Sequence, residues 1–179
     1  TLSLFNIKES NLIEEVGITG LYEQIGAVRS RGAEFELDVR PTDWWQLSAN
    51  YALIDASIID DIVRAEIGSM PMNSPRNSGS ILSRMQLPGR LSSFGWMLGA
   101  IYRSERVGNL PTSATSGPFI MPGYTTLDTG IYYTADTYSI SLKVSNLLDK
   151  RYFQSAFSAV RITPGEPRNF SLTLNKTFE

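Results

Sequence analysis

The feature that most constrains this chain is a two-residue rhythm of apolar and polar side chains. Between Asp136 and Asp149, Tyr138, Ile140, Leu142, Val144 and Leu148 fall on one face of an extended strand. Ser139, Ser141, Lys143 and Ser145 fall on the other, because successive strand side chains point oppositely. Near the end, Phe170, Leu172, Leu174 and Phe178 oppose Ser171, Thr173, Asn175 and Thr177, with Lys176 interrupting the apolar face. Earlier, Ala33, Phe35, Leu37 and Val39 oppose Glu34, Glu36, Asp38 and Arg40. Four successive charges on one strand face must meet water or each other, which a hydrated lumen provides better than a packed core.

The rhythm predicts eight strands, at 1–8, 26–40, 44–57, 77–87, 94–105, 122–134, 137–149 and 167–178. In the fifth, Met97 and Ile101 face inward beside Arg103. Short turns fall at Pro41-Thr42-Asp43, Pro88-Gly89-Arg90 and Ala135-Asp136, and long polar loops at 9–25, 58–76, 106–121 and 150–166. Short turns at one end and long loops at the other are the layout of an outer-membrane barrel, whose strands cross in ~9–11 residues. Aromatic side chains form two predicted belts. Trp44, Trp45, Phe94, Trp96, Tyr132, Tyr133, Tyr138 and Phe178 lie near the short turns or the chain end, and Tyr51, Tyr102, Tyr124, Tyr152 and Phe153 near the loops. A soluble antiparallel sandwich also alternates, but its strands typically run ~5–6 residues, shorter than these. Ile58, Ile59, Ile62, Val63 and Ile67 have helical spacing, read as a loop with local packing or a short helix.

Composition narrows the chemistry. The 179 residues hold neither cysteine nor histidine, which excludes thiol nucleophiles, Cys/His zinc sites, disulfides and histidine acid–base work. The charge is −2, from 16 basic and 18 acidic residues. No clustered basic face marks a nucleic-acid partner. Asp60-Asp61 and Glu14-Glu15 are neighbours whose side chains point apart on an extended chain, so they read as solvated charge. The sequons at Asn169 and Asn175 fall inside the last strand and read as coincidence. No enzyme is expected, and no cofactor.

Several segments, in order along the chain, resemble motifs of the TonB-dependent receptors. Val144-Ser145-Asn146-Leu147-Leu148-Asp149-Lys150-Arg151-Tyr152-Phe153 resembles the family's "NLFDKRY" strand end, with Leu148 where Phe is commoner. Pro164-Gly165-Glu166-Pro167-Arg168 resembles its "PGxPR" element, and Phe178 its terminal aromatic, although Glu179 follows here. Arg29-Ser30-Arg31-Gly32-Ala33-Glu34-Phe35-Glu36 is similar to "RSRGxExE", and Ala49–Ala56 to "ASYTYTDA". Asn73–Ser78 takes the place of "NVPRHS", and Pro122–Asp128 that of "PGYTLVD". The siderophore-receptor branch is the best match.

The resemblance implies a 22-stranded barrel with an N-terminal plug. Residues 1–179 would supply its last eight strands, with the plug and earlier strands absent. It implies outer-membrane uptake of a ferric siderophore, engagement of TonB through the missing part, and contact with outer-membrane lipid and lipopolysaccharide. The iron chelate is expected as cargo. Alternatives are a receptor for cobalamin, a sugar or another chelate, a barrel or adhesin without transport, and a soluble all-β binding module. A bulky, often anionic chelate calls for aromatic faces and cations at the mouth. The candidates are Tyr22, Arg29, Arg103, Arg106, Phe119, Phe157 and Arg161. Gly32 and Arg168 read as structural, Gly32 through close packing and Arg168 through pairing with the acids at 33–40.

Overall fold

A computed structural model describes residues 1–15, 22–110 and 117–178. Eight antiparallel strands form one sheet: β1 (Leu2–Glu15), β2 (Tyr22–Thr42), β3 (Trp45–Asp60), β4 (Asn77–Gln86), β5 (Phe94–Arg103), β8 (Tyr124–Thr134), β9 (Tyr138–Ser145) and β12 (Asn169–Lys176). They lie in the order β1-β2-β3-β4-β5-β8-β9-β12. Two small hairpins interrupt this meander, β6 (Arg106–Asn109) with β7 (Phe119–Met121), and β10 (Phe153–Ser158) with β11 (Arg161–Pro164).

All eight predicted strands are present, with four corrections. The loop read at 9–25 is largely strand, because β1 and β2 continue pairing up to Glu15 and Tyr22. Register irregularities between Ser10 and Ile13, with Asn11 at φ 60°, reset the face on which side chains fall. Such a bulge hides the two-residue period from a reader of the sequence. The loops at 106–121 and 150–166 carry the two small hairpins, whose strands are too short to show alternation. The strand read at 137–149 ends at Ser145, so Leu148 sits in the turn beyond it. No helix forms at 58–67: β3 runs to Asp60 and turns follow.

The sheet has two chemically distinct faces. One carries Phe35, Leu37, Val39, Leu47, Tyr51, Leu53, Ile81, Trp96, Leu98, Ile131, Ile140, Leu142, Leu172 and Leu174. Many of these are wide open, with Leu172 72% exposed and Leu4 of β1 79% exposed. An uncovered apolar face of this extent belongs against lipid or protein, not water. The other face is polar and internally bonded. Ser48 Oγ and Gln46 Nε2 donate to the Asp38 carboxylate at 3.1 and 3.4 Å. Asn50 Nδ2 donates to Ser80 Oγ at 2.8 Å, and Lys143 Nζ lies 3.3 Å from Asp128 Oδ2. Met97 and Ile101 are on this face as expected, Met97 filling the space over Gly130.

Among the described residues the sheet has no sandwich core. The buried apolar side chains, Ala27, Ala56, Ile58, Met121, Tyr124 and Ala156, gather at the end where the long connections fold together. Gly32 has a specific reason to lack a side chain, since a Cβ there would strike the Leu53 carbonyl. Close strand approach of this kind is a recurrent use of glycine inside a strand.

The aromatic belt at the short turns is a real contact cluster on the apolar face. Phe94 and Tyr133 meet edge to face at 4.8 Å, and Tyr138 lies 5.8 Å from Tyr133. Trp45 and Trp96 are held near it by indole N–H bonds to Ser83 Oγ and Thr129 Oγ1. Interfacial aromatics take this place in a barrel. Two belt assignments are corrected by register and a third by its stacking. Tyr132 and Tyr124 are on the polar face, where Arg84 stands 5.4 Å from the Tyr132 ring, and Tyr152 stacks on Tyr124 at 4.1 Å.

Candidate extracellular rim

At the long-loop end, two clasps tie the connections together. The first joins the end of β9 to the start of β12. Asn146, with φ 49° and almost fully buried, donates through Nδ2 to the Lys150 and Glu166 carbonyls, both at 2.9 Å. Its Oδ1 accepts the Lys150 amide at 2.8 Å, and its own amide donates to Asp128 Oδ1 at 3.0 Å. Asp149 Oδ1 accepts the Arg168 amide at 3.0 Å. The Tyr152 ring lies where a Cβ on Gly165 would fall. The two motif segments thus hold each other, which accounts for their appearing together. Arg168 belongs to this clasp, its guanidinium 3.5 Å from the Leu147 carbonyl. Its expected pairing with the acids at 33–40 is therefore corrected, since β2 and β12 lie second and eighth in the sheet.

Asn146→Ala should leave the part-buried Lys150 and Glu166 carbonyls and the Lys150 amide without partners, each costing up to ~1–3 kcal/mol. Asn146→Asp keeps the acceptor but loses both donated bonds. Reduced heat-modifiable folding, ordered wild type above Asp above Ala, is the expected result.

The second clasp joins three separate connections. Asn73, at φ 60°, accepts the Ala156 amide at 2.8 Å and donates to the Ala156 carbonyl at 2.9 Å. The Asn73 amide donates to the Val107 carbonyl at 2.8 Å. Arg106 reaches across from β6, donating to the Phe153 and Gln154 carbonyls at 2.6 and 2.9 Å, with its guanidinium 5.4 Å from the Tyr124 ring. It is 1% exposed, and its Nε has no partner among the described residues. Burial lowers the Arg106 pKa from its ordinary value; Tyr124 opposes that and Arg103 adds to it. Burial, with Tyr124 nearby, pushes the Tyr152 phenol up.

The seven candidate residues separate accordingly. Arg106 is a strut between hairpins and not an open ligand contact, because its charge is spent on two carbonyls and an aromatic face. Arg29 is also displaced from the mouth. It lies on the outer, apolar-side face of β2, opposite Lys8 and Ser57. Phe119 is half-buried, its ring against Gly108. Tyr22 opens β2 opposite Glu15, and its side chain lies outside the described residues. Three candidates remain open to solvent. Arg103 ends β5 on the polar face, and Phe157 and Arg161 form a cation–π pair at 4.8 Å on the β10–β11 hairpin, Phe157 being 73% exposed. The sequence reading missed Asn73 and Asn146 as organisers. Their signal was asparagine's tolerance of left-handed backbone beside turn residues.

A sheet with one lipid-type face, one hydrated face and, among the described residues, its packed cluster at the loop end is a segment of an outer-membrane barrel wall. Comparison with known proteins agrees. The family model described as TonB dependent receptor-like, beta-barrel, matches residues 1–147. The metal-pseudopaline receptor CntO of Pseudomonas aeruginosa is 34% identical over 98% of this chain and 25% of its own length. The catecholate siderophore receptor Fiu of Escherichia coli K12 is 28% identical over 99% of the chain and 23% of its length. Its crystal structure in the closed form superposes with a TM-score of 0.79, covering 99% of this chain and 25% of that one. The siderophore receptor PiuA of Acinetobacter baumannii shares the fold at TM-score 0.81 and 22% identity, over 98% of this chain and 25% of that one. The chain belongs to the TonB-dependent receptor family, and its place is the outer membrane. It spans about a quarter of the length of these relatives.

Proposed function

We propose that the chain forms the last eight strands of a plugged barrel that imports a ferric siderophore with energy delivered through TonB. The observation that carries this reading is an open cation and aromatic pair, Arg161 over Phe157, on a hairpin tied by Asn73 and Arg106 to the rim of a receptor-type wall. Arg103 stands at the top of the polar face and adds a second cation. The supporting names are those of Fiu and PiuA, both siderophore receptors. A plug and a TonB contact belong to the proposal, as does lipid along the apolar face.

A second cargo is favoured by one observation. CntO, the relative at 34% identity, is a metal-pseudopaline receptor, so a metal–pseudopaline complex stands beside the ferric siderophore as a candidate.

The test uses a complete receptor carrying this chain with Arg103→Ala, Phe157→Ala and Arg161→Ala combined. Arg106 is left intact because it braces the rim. Charge-assisted and cation–π contacts contribute ~1–3 kcal/mol, so a single true contact should weaken capture several-fold or more. Binding of a panel of ferric siderophores and metal–pseudopaline is measured against surface abundance. Unchanged affinity for every chelate at normal abundance would place the ligand contacts outside these residues.

A further inference from the structure

On β1, β2 and β3 the apolar face ends within one pair of register rows. Leu2 and Leu4 give way to Asn6 and Lys8. Val39, Leu37, Phe35 and Ala33 give way to Arg31 and Arg29, and Trp45, Leu47, Ala49, Tyr51 and Leu53 to Asp55 and Ser57. The register across this stretch is unbroken, so Asn6, Arg31 and Asp55 make one row and Lys8, Arg29 and Ser57 the next. Asp55 lies ten residues beyond Trp45 of the aromatic belt. At ~3.3 Å per residue and a tilt of ~40°, that is ~25 Å of height, which is the apolar band of a barrel. The charges begin where hydrocarbon ends.

Arg31 has a partner, its Nε lying 3.1 Å from Asp55 Oδ2. Lys8 and Arg29 oppose each other directly across β1 and β2, and among the described residues no carboxylate pairs with either. Like charges directly opposite in a sheet are destabilising; Asp55 one row below and Asp60 one row above share this face but ion-pair with neither of the two. The reverse side of this stretch is closed. Ala56 and Ile58, opposite Ser30 and Val28, are buried, and Gly68 and Ser69 bond to the Ile58 backbone at 2.8 and 2.9 Å. The three cations therefore face outward and not into the mouth.

We propose that Lys8, Arg29 and Arg31 form a docking site on the outer wall for phosphate groups of outer-leaflet lipid headgroups. The site rests on the outer-membrane placement but not on which cargo is carried. Headgroup phosphates are the anions that lie continuously against the wall at this height. A phosphate between Lys8 and Arg29 turns their repulsion into shared attraction, and guanidinium forks match phosphate oxygens in pairs. Each cation near an anionic surface contributes roughly fivefold in affinity.

The experiment uses the complete receptor, purified in mild detergent from outer membranes. Retained lipid phosphate per receptor is measured by phosphorus assay and native mass spectrometry. Lys8→Gln with Arg29→Gln is expected to lose at least ~tenfold, and the exposed single change Lys8→Gln roughly fivefold. Arg90→Gln, the same charge loss at the opposite end of the strands, should lose nothing. Adding back phosphorylated glycolipid should raise the thermal midpoint of wild type but not of the double variant, while dephosphorylated lipid or millimolar inorganic phosphate should raise neither. Equal retention by wild type and Lys8→Gln would overturn the proposal, as would an equal shift with dephosphorylated lipid or inorganic phosphate. Chelate affinity should be unchanged in every variant. A failure of the transport reading would therefore show in the chelate assay and leave the lipid result standing.

Discussion

Residues 1–179 produced alone and refolded in detergent or lipid should give no stable, monomeric, heat-resistant barrel. β1 and β12 occupy the two ends of the sheet and do not pair with each other. In hydrocarbon every unpaired backbone N–H and C=O costs several kcal/mol, so two free edges outweigh any stability the sheet has of its own. Curling eight strands closed is geometrically available, but it needs an interior that side chains fill. Here the polar face carries Glu34, Glu36, Asp38, Arg84, Asp128 and Lys143, and the prospective closing partners have 14 and 8 residues. Supplying the remaining strands of a receptor barrel together with this chain should restore heat-modifiable mobility. A monodisperse eight-stranded barrel obtained from this chain alone would sink the reading.

Leu142→Arg should impair assembly far more than Ser141→Arg, though the two positions are neighbours. Leu142 pairs with Ile131 and Leu172 on the apolar face, four residues above Tyr138 and so ~10 Å above the aromatic belt. A cation near the bilayer midplane costs ~2–4 kcal/mol. Ser141 pairs with Tyr132 and Thr173 on the hydrated face, where a charge keeps its water. Urea titration of both variants in the same bilayer separates the cases. Equal midpoints would reverse the facing of β9 and, through the continuous register, of the whole sheet.

Much of this architecture could be read from the residues because alternation is a local property. In β9 and β12 nearly every side chain declares its face by its own polarity, and these strands, like β3 and β8, were legible to within a few residues at each end. Alternation failed where local chemistry overrode it. At Asn11 a left-handed residue shifts the phase, so the upper half of β1 and the first four residues of β2 read as loop. The rim was less legible for a different reason. Arg106 and Arg103 are the same residue type three positions apart, and only the folding of β6 against β10 makes one a buried brace and the other an open cation. Arg29 was misplaced because no turn or motif near it tells which side of the wall it faces; that depends on pairing with β1 and β3.

The Asn73 and Arg106 clasps have a consequence for how such a rim acquires new specificities. Their bonds run to main-chain amides and carbonyls of Ala156, Phe153 and Gln154, so they are indifferent to the side chains those positions carry. Phe157, Val160 and Arg161 can therefore be exchanged freely while the scaffold beneath them stays put. The conformational entropy of these hairpins is surrendered once, at folding, and not again at each capture. Selection for a different cargo then acts on contact chemistry alone, one exposed residue at a time, without having to rediscover a stable loop conformation at each step.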